Sequence, residues 1–177
     1  PRKNKVRLIC LGICVLLSAH QITMAQSLEE QTVLAALALN IVRFTTWPKE
    51  AKINKTIELC VTGDNVVQQS FTSIDNKAVG DKTLHIINLS RLRNFEQCHG
   101  LYISQLNQNV LLQLLEEVKT KPLLTIGESA EFARQGGMLG LENEDGKINL
   151  YVNLTTAKAA HLDISARLLK LAKIVEE

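Results

Sequence analysis

The sequence predicts an α/β fold, a layered domain in which a mixed β-sheet is flanked by helices. Three observations carry that expectation. Short β-rich runs alternate with runs of helical periodicity, a hairpin signal adds an antiparallel pair, and the composition is that of a chain with a core. Of the 177 residues, 46% are hydrophobic and 21% charged, with nine Gly and three Pro. Such a composition excludes disordered, collagen-like and low-complexity chains, and the length fits one domain.

Residues 1–25 read as a secretory signal peptide, leaving one domain over residues 26–177. Arg2, Lys3, Lys5 and Arg7 form a basic start, Leu8 to Ala19 an apolar stretch, and Thr23-Met24-Ala25 a cleavage site with small residues at the two positions a signal peptidase reads. The apolar stretch falls short of the roughly 20 residues that a membrane span needs. Its removal leaves 16 Lys+Arg against 18 Asp+Glu, a mildly acidic exported protein. That balance gives no basic surface of the kind a nucleic-acid partner requires.

In chain order, Ser27-Leu28-Glu29-Glu30 matches a capping box and opens a helix. Leu34, Leu37, Ala38, Ile41 and Phe44 recur at helical spacing, and flanking apolar residues predict burial on more than one side, until Trp47-Pro48 ends the run. Ile57 to Val61 alternates as a strand and stops at Gly63-Asp64, where a short helix through Val66, Val67 and Phe71 follows. Lys82 to Ile87 and Gly100 to Ile103 are further strands. Val110, Leu111, Leu114, Leu115 and Val118 stripe a helix that Pro122 closes, before the buried strand Leu123 to Ile126. A short helix over Ala130 to Arg134 leads to a hairpin, Met138 to Glu142 and Lys147 to Val152, turning at Asn143-Glu144-Asp145-Gly146. Two helices, Thr155 to Ala160 and Ser165 to about Val175, finish the chain.

Candidate chemistry is thin. His85, His99 and His161 show no zincin spacing and no Cys-x-x-Cys pair accompanies them, so no metal site is expected. Gly127-Glu128-Ser129-Ala130 lacks the second Gly of a nucleophile elbow, and Ser129 reads as a helix N-cap. Gly136-Gly137 has no phosphate-cradle context and reads as a strand entry with positive φ. No catalytic residue and no cofactor are assigned. Once the signal has been removed, Cys60 and Cys98 remain, in a compartment that favours an intramolecular disulfide; two buried thiols are the alternative. Absence of a catalytic constellation favours a binding role.

Several stretches together resemble the YfiR family of periplasmic proteins: Phe44-Thr45-Thr46-Trp47-Pro48, Leu59-Cys60-Val61-Thr62-Gly63, Cys98-His99-Gly100-Leu101-Tyr102-Ile103, Leu124-Thr125-Ile126-Gly127, Gly136-Gly137-Met138, and Ile148 to Leu154 through Leu168 to Ala172. The resemblance covers nearly the whole mature chain. It implies a periplasmic α/β protein without enzymatic activity that represses a YfiN-type inner-membrane diguanylate cyclase by binding its periplasmic sensory domain, lowering cyclic di-GMP and biofilm formation. It also implies release by a YfiB-type, OmpA-like outer-membrane lipoprotein, with redox state as a second input. Cys60 and Cys98 match a cysteine pair that the family uses as a disulfide, while the second pair of some relatives, near the Gly-Gly segment, has no counterpart here. For the partner surface the expected residues are Phe44 and Trp47 with Leu162, Asp163, Ser165 and Arg167. A periplasmic small-ligand sensor is the alternative function, and a homodimer is left open.

Overall fold

A computed structural model describes residues 27–90 and 95–176. The expected signal peptide lies outside the described residues.

Helix α1 covers residues 27–43. Leu34, Ala35, Ala38, Leu39, Ile41 and Val42 are buried, whereas Val33, Ala36, Asn40 and Arg43 form an exposed stripe. The expectation of burial on more than one side is therefore corrected: one broad face packs on the sheet and the other meets solvent. Ser27 is already helical, and the Glu30 carboxylate accepts from Asn143 Nδ2 at 2.6 Å instead of closing a capping box. Thr45 Oγ1 donates to Ile41 O at 2.8 Å and closes the helix end.

Beyond α1, the chain runs through strand β1 (Thr45–Thr46) and a 3-10 turn (Lys49–Ala51) into β2 (Thr56–Thr62). Asp64 caps α2 (Asn65–Thr72) by accepting from Val66 N and Val67 N. Strands β3 (Ala78–Val79), β4 (Lys82–Asn88) and β5 (Gly100–Ile103) precede α3 (Gln108–Val118). Then come β6 (Leu124–Gly127), α4 (Ala130–Arg134), β7 (Leu139–Glu144) and β8 (Lys147–Val152). Last are α5 (Leu154–Ala159), β9 (Asp163–Ile164), α6 (Ala166–Leu169) and β10 (Ala172–Ile174).

Among the described residues the main sheet has the order β10-β8-β7-β6-β5-β2-β4-β3. Strands β4, β2, β5, β6 and β7 are mutually parallel, and antiparallel pairs β7–β8 and β3–β4 make the sheet mixed. The chain passes outward from β2 in both directions, so a topological switch point lies between β2 and β5. Alternation along the strands divides the core. Ile57, Leu59, Val61 and Tyr102 face α1 and α2, while Cys60, Leu101 and Ile103 face α3 and its Leu111, Leu114, Leu115 and Val118. The β7–β8 turn uses positive φ at Asp145 and Gly146, the two-residue geometry that matches strand twist. Gly136 takes the expected positive φ, and a Cβ at Gly137 would overlap the Phe132 ring.

The C-terminal helix is the main correction. It stops after α6, and β10 adds to the sheet parallel to β8, with Val175 N donating to Val152 O at 3.0 Å. Leu171, placed on the expected apolar stripe, is 80% exposed. Two further helical turns would have left the β8 backbone edge unpaired, and the ladder supplies those hydrogen bonds instead.

Candidate functional site

Of the expected partner-surface residues, most converge at one corner of the fold. Strands β1 and β9 form a small antiparallel ribbon with Thr45 opposite Ile164 and Thr46 opposite Asp163. Ser165 N extends it by donating to Phe44 O at 2.8 Å. The Ser165 hydroxyl accepts from Arg167 N and caps α6, so its side chain has a structural task. Asp163 and Arg167 are exposed beside the ribbon, and Phe44 is half-buried against the core. Leu162 departs from its expected role, since it is buried and belongs to the core.

Trp47 is half-buried at the same corner, held by its indole N–H donating to the His99 carbonyl at 2.8 Å. The aromatic ring therefore has the polar partner that a buried indole requires. His99 is itself anchored twice on β2: its N–H donates to Glu58 O at 2.8 Å, and its Nδ1 accepts from Glu58 N at 2.9 Å. Burial holds the imidazole below its ordinary value, opposed by the Glu58 charge. Both the shift and the acceptor role of Nδ1 call for a neutral ring. Immediately before His99, Cys98 is bonded to Cys60 with a Cα–Cα distance of 5.8 Å. The disulfide thus adjoins the residue whose carbonyl fixes Trp47, a connection across three chain segments that local sequence patterns do not carry.

A second polar pair lies under α1. Tyr102 O–H donates to Glu128 Oε1 at 2.8 Å, and burial, with the Glu128 charge, raises the phenol. Burial likewise pushes the Glu128 carboxyl above its ordinary value, opposed by hydrogen bonds led by that from Tyr102.

At the carboxyl ends of β2 and β5, the switch point opens into a cleft of about 490 Å³ lined by Thr62, Gly63, Asp64, Ser104 and Gln105. This is where open α/β sheets commonly take ligands. Here the first free amides of α2 already donate to Asp64, which also places a negative charge at the mouth. Among the described residues no group of three or more His, Cys, Asp or Glu could hold a metal ion. No helix among them is long and apolar enough to cross a membrane.

Over residues 31–173 the sequence matches a family model described as YfiR/HmsC-like. The chain belongs to the YfiR/HmsC-like family. No curated protein matches the chain at a significant level. The YfiR-like match runs from within α1 to within β10, so the Trp47 corner, the disulfide and the switch-point cleft all fall inside it. Members of this family are periplasmic and regulatory rather than catalytic.

Sequence reasoning considered His99 as a metal ligand and overlooked Arg43, Lys49 and Lys52, which line one pocket with Trp47. A readable signal was present: Lys49 and Lys52 follow Trp47-Pro48 closely, and Arg43 stands four positions before Trp47. The Glu58 and Glu128 contacts had no comparable signal, because each depends on strand pairing or on α1 covering the sheet.

Proposed function

We propose that the protein is an exported repressor that binds the periplasmic sensory domain of a YfiN-type membrane diguanylate cyclase and holds it inactive, lowering cyclic di-GMP and biofilm formation. Membership of the YfiR/HmsC-like family across the domain carries this reading. The signal peptide of residues 1–25 delivers the chain to the periplasm. A YfiB-type, OmpA-like outer-membrane lipoprotein competes for the repressor and releases the cyclase. Repression of this kind needs only that the repressor prefer the cyclase's inactive conformation.

The partner surface is the corner formed by Phe44, Trp47, Asp163 and Arg167, with the β1–β9 ribbon as its support. A half-buried Trp beside exposed charges resembles the aromatic anchor and polar rim of protein interfaces. Redox control acts through the same corner: reducing Cys60–Cys98 frees the segment leading to His99, loosens the Trp47 anchor, and lowers the population able to bind.

Asp163→Ala and Arg167→Ala, each exposed, test the surface. Both should fold with unchanged thermal stability and lose affinity for the purified cyclase periplasmic domain in calorimetry. Retained affinity in both would remove this corner from the interface. Equal affinity of the oxidised and reduced proteins would remove redox control.

A further inference from the structure

Beside Trp47 lies a pocket of about 530 Å³ enclosed by the end of α1, the 3-10 turn, the start of β2 and the β3–β4 hairpin. Its volume is within the range of small-molecule sites. Ile57 and Val79 form a buried apolar floor, and Trp47 and Ile53 form partly buried walls. Arg43, Lys49, Lys52 and Lys82 stand around it, and no Asp or Glu contributes to the lining.

Lys82 is paired with Asp81 at 2.9 Å, but none of the ion pairs among the described residues includes Arg43, Lys49 or Lys52. Arg43 Nε donates to Ala78 O at 3.1 Å, which ties the guanidinium to the β3 side of the mouth. The three uncompensated cations contrast with the mildly acidic balance of residues 26–177. Unpaired positive charge over an apolar floor favours a ligand with an anionic head and an apolar body.

Backbone chemistry narrows the class. Pro48 has no N–H, and the Ala51 and Lys52 amides already donate to Pro48 O and Lys49 O. Of the turn's own amides this leaves those of Lys49 and Glu50, fewer than the run of successive amides that cradles a phosphate. We propose that this pocket binds a small amphiphilic carboxylate, its aryl or alkyl body on Trp47, Ile53 and Ile57 and its carboxylate among Arg43, Lys49 and Lys52. The assignment is independent of whether the protein's partner is a cyclase. An occupant would touch Trp47 directly and so bias the β1–β9 corner.

Trp47 is the single tryptophan of the chain, so its emission reports from inside the pocket. The test titrates residues 26–177 with phenylpropionate, with its neutral amide and with inorganic phosphate, following selectively excited Trp emission. The expected result is a saturable change with phenylpropionate at one per chain, and binding at least about tenfold weaker for the amide, the loss expected when a charge-assisted contact is removed. Phosphate should leave the emission unchanged. The exposed pair Lys49→Gln/Lys52→Gln should keep its thermal stability and weaken phenylpropionate by about tenfold or more; Arg43→Gln is a second variant outside the turn. No saturable response, equal binding of acid and amide, a matching response to phosphate, or unchanged affinity in both variants would overturn the proposal.

Discussion

His99 couples three segments: its imidazole Nδ1 and its backbone N–H meet Glu58, and its backbone carbonyl meets Trp47. Its folded-state value is held below the ordinary 6.5, with burial as the first cause. The stability it contributes is therefore fully present above that ordinary value and is lost as pH falls through the folded one. His99→Ala should be less stable than the wild type near neutral pH and show a shallower loss on acidification, read from melting temperatures across a pH series. Parallel profiles would contradict the neutral-acceptor role. Glu128 has the opposite sign, because burial raises its carboxyl above the ordinary 4.5. Its favourable contribution is complete below that value and is lost as pH rises through the folded one. Glu128→Gln keeps an acceptor for the Tyr102 hydroxyl without the charge, so it should remove this loss and melt higher than wild type at neutral pH. A lower melting temperature there would show that the ionised form is the one the fold favours.

Among the elements, the difference between the C-terminal expectation and β10 has a mechanical consequence. This short strand covers the edge of β8, and Lys173 Nζ reaches Tyr151 Oη at 3.0 Å and Glu144 at 3.7 Å. Removing residues 171–177 should leave an open β8 edge, lower the melting temperature and produce concentration-dependent association in sedimentation, since unpaired edges recruit other strands. A truncated protein that melts and sediments as the full chain does would deny β10 that role. The parallel strands, α3 and the β7–β8 hairpin were legible because each is an apolar run or stripe bounded by Gly, Pro or Asp. Strands β1 and β9, two residues each, have no period to read. For the residues after Leu168, apolar spacing suits a helix, yet the available sheet edge decides the conformation. The corner itself was partly legible: Trp47-Pro48 marked a helix end, but the hydrogen bond from Trp47 to His99 spans 52 positions and follows only from the packed fold.

For the whole molecule, Cys60–Cys98 joins the middle of β2 to the segment entering β5, across a sequence separation of 38. Closing such a loop is worth about 4 kcal/mol in the chain-entropy account. The paired change Cys60→Ser/Cys98→Ser should accordingly lower the melting temperature by on the order of 10 °C for a domain of this size. A fall of only a degree or two would show that the bond adds little to stability and would leave a local effect on the Trp47 corner as its remaining consequence. The family match fits a regulator, and the repression proposed for it is tested in the cell. Intracellular cyclic di-GMP is measured in a host lacking this gene, with the YfiN-type cyclase present or deleted, after supplying either the full chain or residues 26–177 without a signal. The account predicts that only the exported protein lowers the nucleotide, and only when the cyclase is present. Unchanged cyclic di-GMP with the exported protein and the cyclase both in place would contradict it.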